Sequence, residues 1–333
     1  MSDNMISRRA LLASGAAVAA SSGSGLSEAL AQTAPASGKT IQFILPNAAG
    51  SGVDTITRTV QNELSKALGA AIVINNQPGA GGVIGTNQMI RSAPDGLTLS
   101  VVSNNHVIYP SVLKSIPFDP ITDVTPIATL GSTPLVMVVN PTKLDVKTLQ
   151  DMTALIKAKP DSYNYGSSGN GTILHLAAAM YVDQAGVKMT HVPYKGVGPM
   201  VNDLLGGQVD MGVLAYPSII AHLKSGALRA IGVGTPQRLA AVPELPTFAE
   251  QGMPDYIVEA WLAVIGPAKM PADEVKRIHA AFVTAFSAED VKAAMVKQAN
   301  TINITAPDKA AEFMKAELAK YAAIVKKIGL EPQ

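Results

Sequence analysis

The chain contains no cysteine among its 333 residues. That absence excludes disulfide bonds, zinc sites with cysteine ligands, a thiol nucleophile and a lipid anchor attached through cysteine. The length is sufficient for two domains. Each must then be stabilised by an ordinary hydrophobic core rather than by covalent cross-links.

Neither sign of charge is in excess, since Lys and Arg number 26, Asp and Glu number 25, and the formal net charge is +1. No basic stripe or polybasic segment is present, which argues against nucleic acid and anionic lipid as partners. Long apolar runs are missing as well, because no downstream stretch approaches the roughly 18 residues that a membrane span requires. We therefore expect a soluble mature protein that binds no nucleic acid.

The N-terminal segment has the parts of an export signal. Arg8 and Arg9 precede a weakly apolar, alanine-rich run, and the triplet that ends at Ala31 offers a cleavage site of the A-x-A type. This pattern predicts that residues 1–31 are a twin-arginine signal cleaved near Ala31, that residues 32–38 form a linker, and that the mature protein is periplasmic. The alternative is an unstructured tail with a chance pair of arginines.

Two loops rich in small residues, 46–54 and 78–82, each follow a short apolar strand and precede a helical pattern. At the start of a helix the first backbone N–H groups have no partner within the helix, and the helix dipole adds partial positive charge. The sequence therefore predicts an anion site that is held by backbone groups rather than by Lys or Arg.

The same arrangement recurs in the second half of the chain, where a short strand ends in the loop 166–172 and Thr172 is placed to cap a helix. Gly69 and Gly186 are expected to end the helices that follow the first and third loops, and Pro199 to occupy the first position of a later helix. The alternation predicts an α/β fold with parallel strands in two units and a helical C-terminal part. Because ligands lie beyond the carboxyl ends of parallel strands, we expect the three loops to face one crevice.

Candidate catalytic and metal-binding patterns are weak. Ser167 or Ser168, with His175 or His191 and Asp210, would be needed for a hydrolase triad, but the G-x-S-x-G pattern of a nucleophile elbow is absent. The second glycine loop misses the G-x-G-x-x-G spacing by one residue, and no P-loop lysine follows it. The five histidines lack the i, i+4 spacing of a metal-binding helix. We expect no catalytic residue, no metal and no cofactor.

Four other residues have two interpretations each. Asp54 is either a helix cap or a ligand contact, and Arg58 is expected to be a structural charge rather than the partner of the anion. Trp261, the single tryptophan, either fills a core or lines the crevice. His191 either reaches the crevice or packs at the end of a strand.

An ordered set of motifs extends along the mature chain. The motifs are GSGVD at 50–54, NQPGAGG at 76–82, PDGLTL at 94–99, YGSSGNGT at 165–172, HVPYKG at 191–196, GGQVD at 206–210, GALRA at 226–230, PTFAEQG at 246–252, and Trp261. In this order they resemble the Bug (TctC-like) family, the periplasmic solute receptors of tripartite tricarboxylate transporters. Two departures concern the first loop: Asn47 stands where relatives usually have an aromatic residue, and Ser51 where they usually have the second glycine of a pair.

The resemblance implies a type II periplasmic-binding-protein fold, with two α/β lobes joined by two crossing strands. Residues 39–134 and 237–333 would form the first lobe, and residues 135–236 the second. It also implies that the ligand carboxylate is held by loop backbone groups and ordered water. The candidate ligand-binding residues are Asn47, Ala48, Ala49, Gly50, Ser51, Asp54, Gly79, Ala80, Gly81, Ser167, Gly169, Asn170, Thr172, His191 and Tyr216.

We therefore expect a monomeric receptor, not an enzyme, that closes on a small organic carboxylate. It would deliver this ligand to the membrane subunits of a tripartite tricarboxylate transporter. One alternative is a signalling-only receptor whose partner is a sensor domain. A less favoured one is a hydrolase on the same two-lobed scaffold, which would turn over the bound carboxylate.

Overall fold

A computed structural model describes residues 38–332 of the chain. The predicted export signal and the linker up to residue 37 lie outside the described residues. The strands are β1 (Thr40–Leu45), β2 (Ala71–Asn76), β3 (Thr98–Ser103), β4 (Val124–Val139), β5 (Asn164–Ser167), β6 (Thr190–Pro193), β7 (Met211–Ala215), β8 (Arg229–Val233) and β9 (Glu259–Pro267). The α-helices are α1 (Gly52–Leu68), α2 (Val83–Ile90), α3 (Asn105–Val112), α4 (Leu149–Ala158), α5 (Ile173–Ala185), α6 (Val197–Leu205), α7 (Tyr216–Lys224), α8 (Ala272–Ser287), α9 (Glu289–Lys297) and α10 (Pro307–Lys327).

The strands form one mixed sheet in the order β2-β1-β3-β9-β4-β7-β5-β6, with β8 also paired to β4. The predicted parallel pairs are present: β1 lies parallel to β2 and β3, and β5 parallel to β6 and β7. The long strand β4 joins the two groups, because its residues 124–134 pair with β9 and its residues 135–139 with β7 and β8. We call β1–β3, β9 and the first part of β4, with their helices, lobe 1. The remaining strands with α4–α7 are lobe 2.

Helix ends follow the predicted capping chemistry in α1 and α5. Thr172 caps α5 by accepting from the His175 N–H, and both helices end at glycines in the left-handed region, Gly69 at φ 61° and Gly186 at φ 59°. The prediction for α6 is wrong by two residues, since that helix begins at Val197 rather than at a proline. Gly196, at φ 127°, turns the chain into the helix there, and the proline still lies in the first turn, where its missing N–H costs no hydrogen bond.

Two large apolar clusters stabilise the structure, one within lobe 1 and one shared by the two lobes. In lobe 1, α1 and α8 pack on the sheet through residues such as Phe43, Ile56 and Phe282, with the Phe43 and Phe282 rings edge to face at 6.1 Å between centroids. A second cluster extends from the lobe 2 strands to α3 and α10. Within residues 38–332, no helix combines the length and the apolar character needed to cross a membrane.

The segment 237–258, between β8 and β9, is hydrogen-bonded to lobe 2. Tyr256 Oη donates to Ala177 O at 2.8 Å, and Gln251 Nε2 donates to Ile231 O at 2.9 Å. The residue boundaries of the lobes stay a prediction. On the strength of these bonds we propose that the chain returns to lobe 1 at β9.

Candidate functional site

A cleft of about 740 Å³ lies where the loops after β1, β2, β5 and β6 meet. Residues 46–48, 51, 78–82, 105 and 113 line it from lobe 1, and residues 168–170, 172 and 193–197 line it from lobe 2. The lining therefore comes from the carboxyl ends of strands in both lobes, which is the usual position of a ligand in sheets of this kind.

Nine of the predicted ligand-binding residues line this cleft. They are Asn47, Ala48, Ser51, Gly79, Ala80, Gly81, Gly169, Asn170 and Thr172. The other six do not line it: Ala49 and Gly50 form the exposed tip of the first loop, Asp54, Ser167 and His191 lie behind the loops, and Tyr216 lines a different cavity at the start of α7. A ligand contact by any of the fifteen stays a prediction.

The first loop is shaped by a buried carboxylate. Asp54 accepts from the Gly50 N–H at 2.9 Å, from Arg58 Nε at 2.9 Å and from Asn76 Nδ2 at 3.0 Å. Burial acts to raise the pKa of the Asp54 carboxyl, but the bonds from these three donors outweigh it and hold the pKa below its ordinary value. The helix cap is Ser51, whose Oγ accepts from the Asp54 N–H. Asp54 therefore stabilises the conformation of the first loop from a buried position behind it. Arg58 has the structural role that the sequence predicts.

This loop leaves backbone donors available at the start of α1. The N–H groups of Gly52 and Val53 have no hydrogen-bond acceptor among residues 38–332. Both residues line a smaller cavity of about 50 Å³, which shares Asn47, Ser51, Asn105, Ser168 and Val197 with the cleft.

The small cavity is a recess of the cleft that two helices face with their N-terminal ends. Ile173 and Leu174, the first residues of α5, line it opposite the start of α1. Ser103 lines it too: this residue is only 4% exposed, and its hydroxyl has no partner within the described part of the chain. Donors with no protein acceptor at the start of α1 and at Ser103, together with the positively polarised ends of α1 and α5, favour a small anion there.

The second loop, residues 78–82, packs closely on neighbouring residues of lobe 1 because of its unusual backbone conformation. Gly82 adopts φ 121°, and a Cβ there would overlap the Tyr109 hydroxyl and lie 2.8 Å from Pro46 O. The same hydroxyl donates to Gly81 O at 3.2 Å. Ala80, a non-glycine residue at φ 46°, shows that the turn is kept at some cost in backbone energy.

A stack of aromatic rings supports the third loop. The rings of His175 and His191 lie parallel at 3.7 Å between centroids, and Tyr165 stacks on His191 at 5.0 Å. His191 Nε2 lies 2.7 Å from Ser167 Oγ, and His175 Nδ1 accepts from the Gly171 N–H at 3.0 Å. Burial lowers the pKa of His191 to about 4 and that of His175 to about 3, so both rings are neutral near pH 7. His191 therefore packs behind the loop.

The parts of a hydrolase triad are not assembled here. Ser167 is completely buried, and its hydroxyl is also bonded to the backbone of Gly169. Asp210 accepts from the Asn164 N–H at 2.9 Å, and within residues 38–332 it makes no hydrogen bond or ion pair with either stacked histidine. No group of acidic residues and histidines in residues 38–332 is arranged to hold a metal ion.

Hydrogen bonds from Ser218 and Ile173 join the lobes across the cleft. Ser218 Oγ donates to Gly50 O at 2.9 Å, and the Ile173 N–H donates to Asn105 Oδ1 at 2.7 Å. Gly196 also approaches the first loop so closely that a Cβ there would lie 2.9 Å from Ala48 Cβ. The described conformation is therefore one in which the lobes are closed on each other.

Sequence reasoning missed part of the lining. Asn105 follows β3, and Tyr194, Lys195 and Gly196 follow β6. Both strands belong to parallel pairs, so the rule that selected the other three loops would have selected these two. Lys195 and Gly196 even lie within the quoted HVPYKG motif. The signal missed was the strand end itself, because neither segment is as rich in glycine as the first three loops.

Trp261 lies outside the cleft. It lines a separate cavity of about 300 Å³ beside α10, where Nε1 donates to Glu317 Oε2 at 2.8 Å and the ring meets Phe313 edge to face. Of its two interpretations, the structure favours packing over a place in the cleft wall.

Fold and cleft together define a two-lobed periplasmic binding protein. The family model described as "Tripartite tricarboxylate transporter family receptor" (TctC) matches residues 56–330, and the chain belongs to this family. Protein BugT of Bordetella pertussis is 33% identical over 301 residues, which are 90% of this chain and 91% of BugT. The predicted family and fold class are confirmed.

Two similar solved structures contain a carboxylate ligand. The structure of R. palustris Rpa4515 with adipate is 26% identical at a TM-score of 0.85, covering 89% of this chain and 99% of that chain. MatC from Rhodopseudomonas palustris with bound malate is 27% identical at a TM-score of 0.81, covering 86% and 99%. The family and these structural neighbours consist of binding proteins.

Proposed function

We propose that this receptor captures a small organic carboxylate in the cleft and delivers it to the membrane subunits of a tripartite tricarboxylate transporter. We also propose that it reaches the periplasm by the twin-arginine route, as Arg8 and Arg9 predict. The family assignment and the adipate and malate of the two neighbours support the ligand class.

The observation that carries the proposal is the set of unused donors in the recess. The N–H groups of Gly52 and Val53 and the hydroxyl of Ser103 have no protein acceptor in the described range. A hydrogen bond to a charged group contributes roughly 1.5–3 kcal/mol. A few such bonds hold a carboxylate without a salt bridge, and among residues 38–332 no Asp or Glu lines the cleft to repel it.

A thermal-shift screen of the chain from residue 32 onwards tests this. The ligands are mono-, di- and tricarboxylates, amino acids and aromatic acids, each paired as control with the amide in which neutral carboxamides replace the carboxylates. At about 100 times its dissociation constant a ligand adds about 2.7 kcal/mol to the free energy of unfolding. For a chain of this size that is a rise of about 4 °C in Tm. Stabilisation by a carboxylate but not by its amide supports the proposal. No carboxylate hit with folded, ligand-free protein contradicts it.

A further inference from the structure

Lys195 is the charged side chain of the cleft. It lies in the loop between β6 and α6, and every other lining residue within the described range is neutral. Its side chain is exposed and has no ion pair or hydrogen bond with residues 38–332. Arg58, in contrast, lies beneath the first loop and is bonded to Asp54 and Asn76. Lys195 is thus a cation that faces the cleft without a protein partner.

The backbone on either side of Lys195 is held in place. Tyr194 Oη donates to Asp203 at 2.7 Å, and the Tyr194 N–H donates to Ser167 O at 3.0 Å. On the other side, Gly196 lies against Ala48 of lobe 1. The lysine is therefore presented to the cleft from a fixed point near the contact of the two lobes, and only its side chain has to move to reach a ligand.

The volumes leave space for a second acidic group. The recess of about 50 Å³ accommodates a group of carboxylate size, whereas the cleft above it has about 740 Å³. A ligand that extends from the recess into the cleft enters a space whose described lining has one free ammonium group and no carboxylate. An anionic group at its far end gains a charge-assisted hydrogen bond there, whereas a neutral group does not.

We propose that Lys195 is a specificity-determining residue that selects ligands with a second negative charge, so that this receptor takes dicarboxylates. One carboxylate occupies the recess at the N-terminal ends of α1 and α5, and the other meets the Lys195 ammonium group. The inference rests on the proposed function, since it assigns the first carboxylate to the same cleft.

Titration calorimetry with matched ligands tests the inference. The ligands are succinate, glutarate and adipate, each compared with its monoamide, which keeps the shape and removes one charge. The chains are the wild type, Lys195→Met, Lys195→Arg and Lys188→Met, the last replacing an exposed lysine outside the cleft lining. We expect the wild type and Lys188→Met to bind at least one dicarboxylate about tenfold or more tighter than its monoamide. Lys195→Met should lose this preference while its affinity for the monoamide is unchanged, and Lys195→Arg should retain most of it.

The possible failures are distinguishable. Equal binding of dicarboxylates and monoamides by the wild type, or a preference that survives in Lys195→Met, overturns the inference and leaves the proposed function standing. Absence of binding by succinate, glutarate and adipate overturns the inference, and absence of binding by every carboxylate of the thermal-shift screen overturns both. Because Lys195 has no partner within the described chain, its replacement should not change Tm without ligand.

Discussion

Replacing Asp54 by alanine should damage both the stability and the cleft of this receptor. Asp54 is 4% exposed, and its carboxylate accepts from Gly50, Arg58 and Asn76. Asn76 Nδ2 in turn also donates to Asn47 O at 3.0 Å. The substitution therefore removes the common acceptor on which the first loop and the end of β2 are assembled.

The magnitude follows from what water can replace. Each bond to a charged acceptor is worth about 1.5–3 kcal/mol when its donor stays dry. Gly50 is exposed and the Arg58 side chain is 48% exposed, so water replaces most of the free energy of those two lost bonds. Asn76 is half-buried, so most of the free-energy cost of losing its bond to Asp54 remains. We expect a loss of about 3 kcal/mol. With an unfolding entropy near 2.1 cal/mol/K per residue over about 295 residues, Tm should fall by about 5 °C.

The assay is thermal unfolding at pH 7 without ligand, with Asp145→Ala as the matched control. Asp145 also accepts from an arginine, Arg229, but its side chain is 80% exposed. Exposed pairs of this kind contribute little, so Tm of the control should not change measurably. In Asp54→Ala the affinity for the carboxylate found in the screen should fall at least tenfold, since the first loop loses its shape. If the two variants unfold at the same temperature, the structural role given to Asp54 is wrong.

Three further predictions concern pH and the closure of the lobes. Burial depresses the pKa of three histidines, the stacked pair and His106, whose pKa is about 4. Below pH 6.5 the unfolded chain therefore binds protons that the native chain does not. As the pH falls from 6.5 to 5, the free energy of unfolding should decrease by up to about 1.4 kcal/mol per pH unit for each fully buried ring. A constant Tm over that range would contradict this. Ser218→Ala should weaken ligand binding roughly two- to tenfold, the worth of one net hydrogen bond, whereas Ser225→Ala, which breaks a bond to the backbone within lobe 2, should not change the dissociation constant. Gly171→Ala and Gly186→Ala both place alanine at positive φ, but a Cβ overlaps the lobe 1 residue Val112 only at position 171. Both should lose about 1–2 kcal/mol of stability, and only the first should lose affinity at least tenfold; equal affinities would show that Gly171 is not at a contact made on closure.

The sequence predicted what depends on local chemistry. The cap at Thr172 and the left-handed glycines at helix ends follow from side-chain and backbone preferences that act within a few residues. The parallel strands follow from the alternation of strands and helices, and their carboxyl ends place the glycine loops on one cleft. Nine predicted lining residues lie there for that reason.

What escaped prediction depends on contacts between segments distant in the chain. Ser51 and Asp54 both suit a helix start, and only the position of Asn76, 22 residues away, makes Asp54 the centre of a network. The sequence around His191 is compatible with either a cleft position or a packed strand end. His191 is packed because His175 of α5 stacks on its ring. Tyr216 follows a strand end like the lining residues, but it begins α7 and lines a different surface cavity. No local pattern encodes these pairings.

The contacts that close the lobes are suited to a receptor because they are weak. The bonds from Ser218 to Gly50 and from Ile173 to Asn105 contribute about 1 kcal/mol each. A much stronger set of contacts would keep the cleft closed without ligand. A ligand that bound the open and closed states with equal affinity could not shift the population between them. The recess is lined by Gly52 and Val53 from lobe 1 and by Leu174 from lobe 2, so an anion held there favours the state in which both helix ends face it. A few charge-assisted bonds of about 1.5–3 kcal/mol each exceed the two closing bonds, and the ligand rather than the protein then decides whether the lobes stay closed.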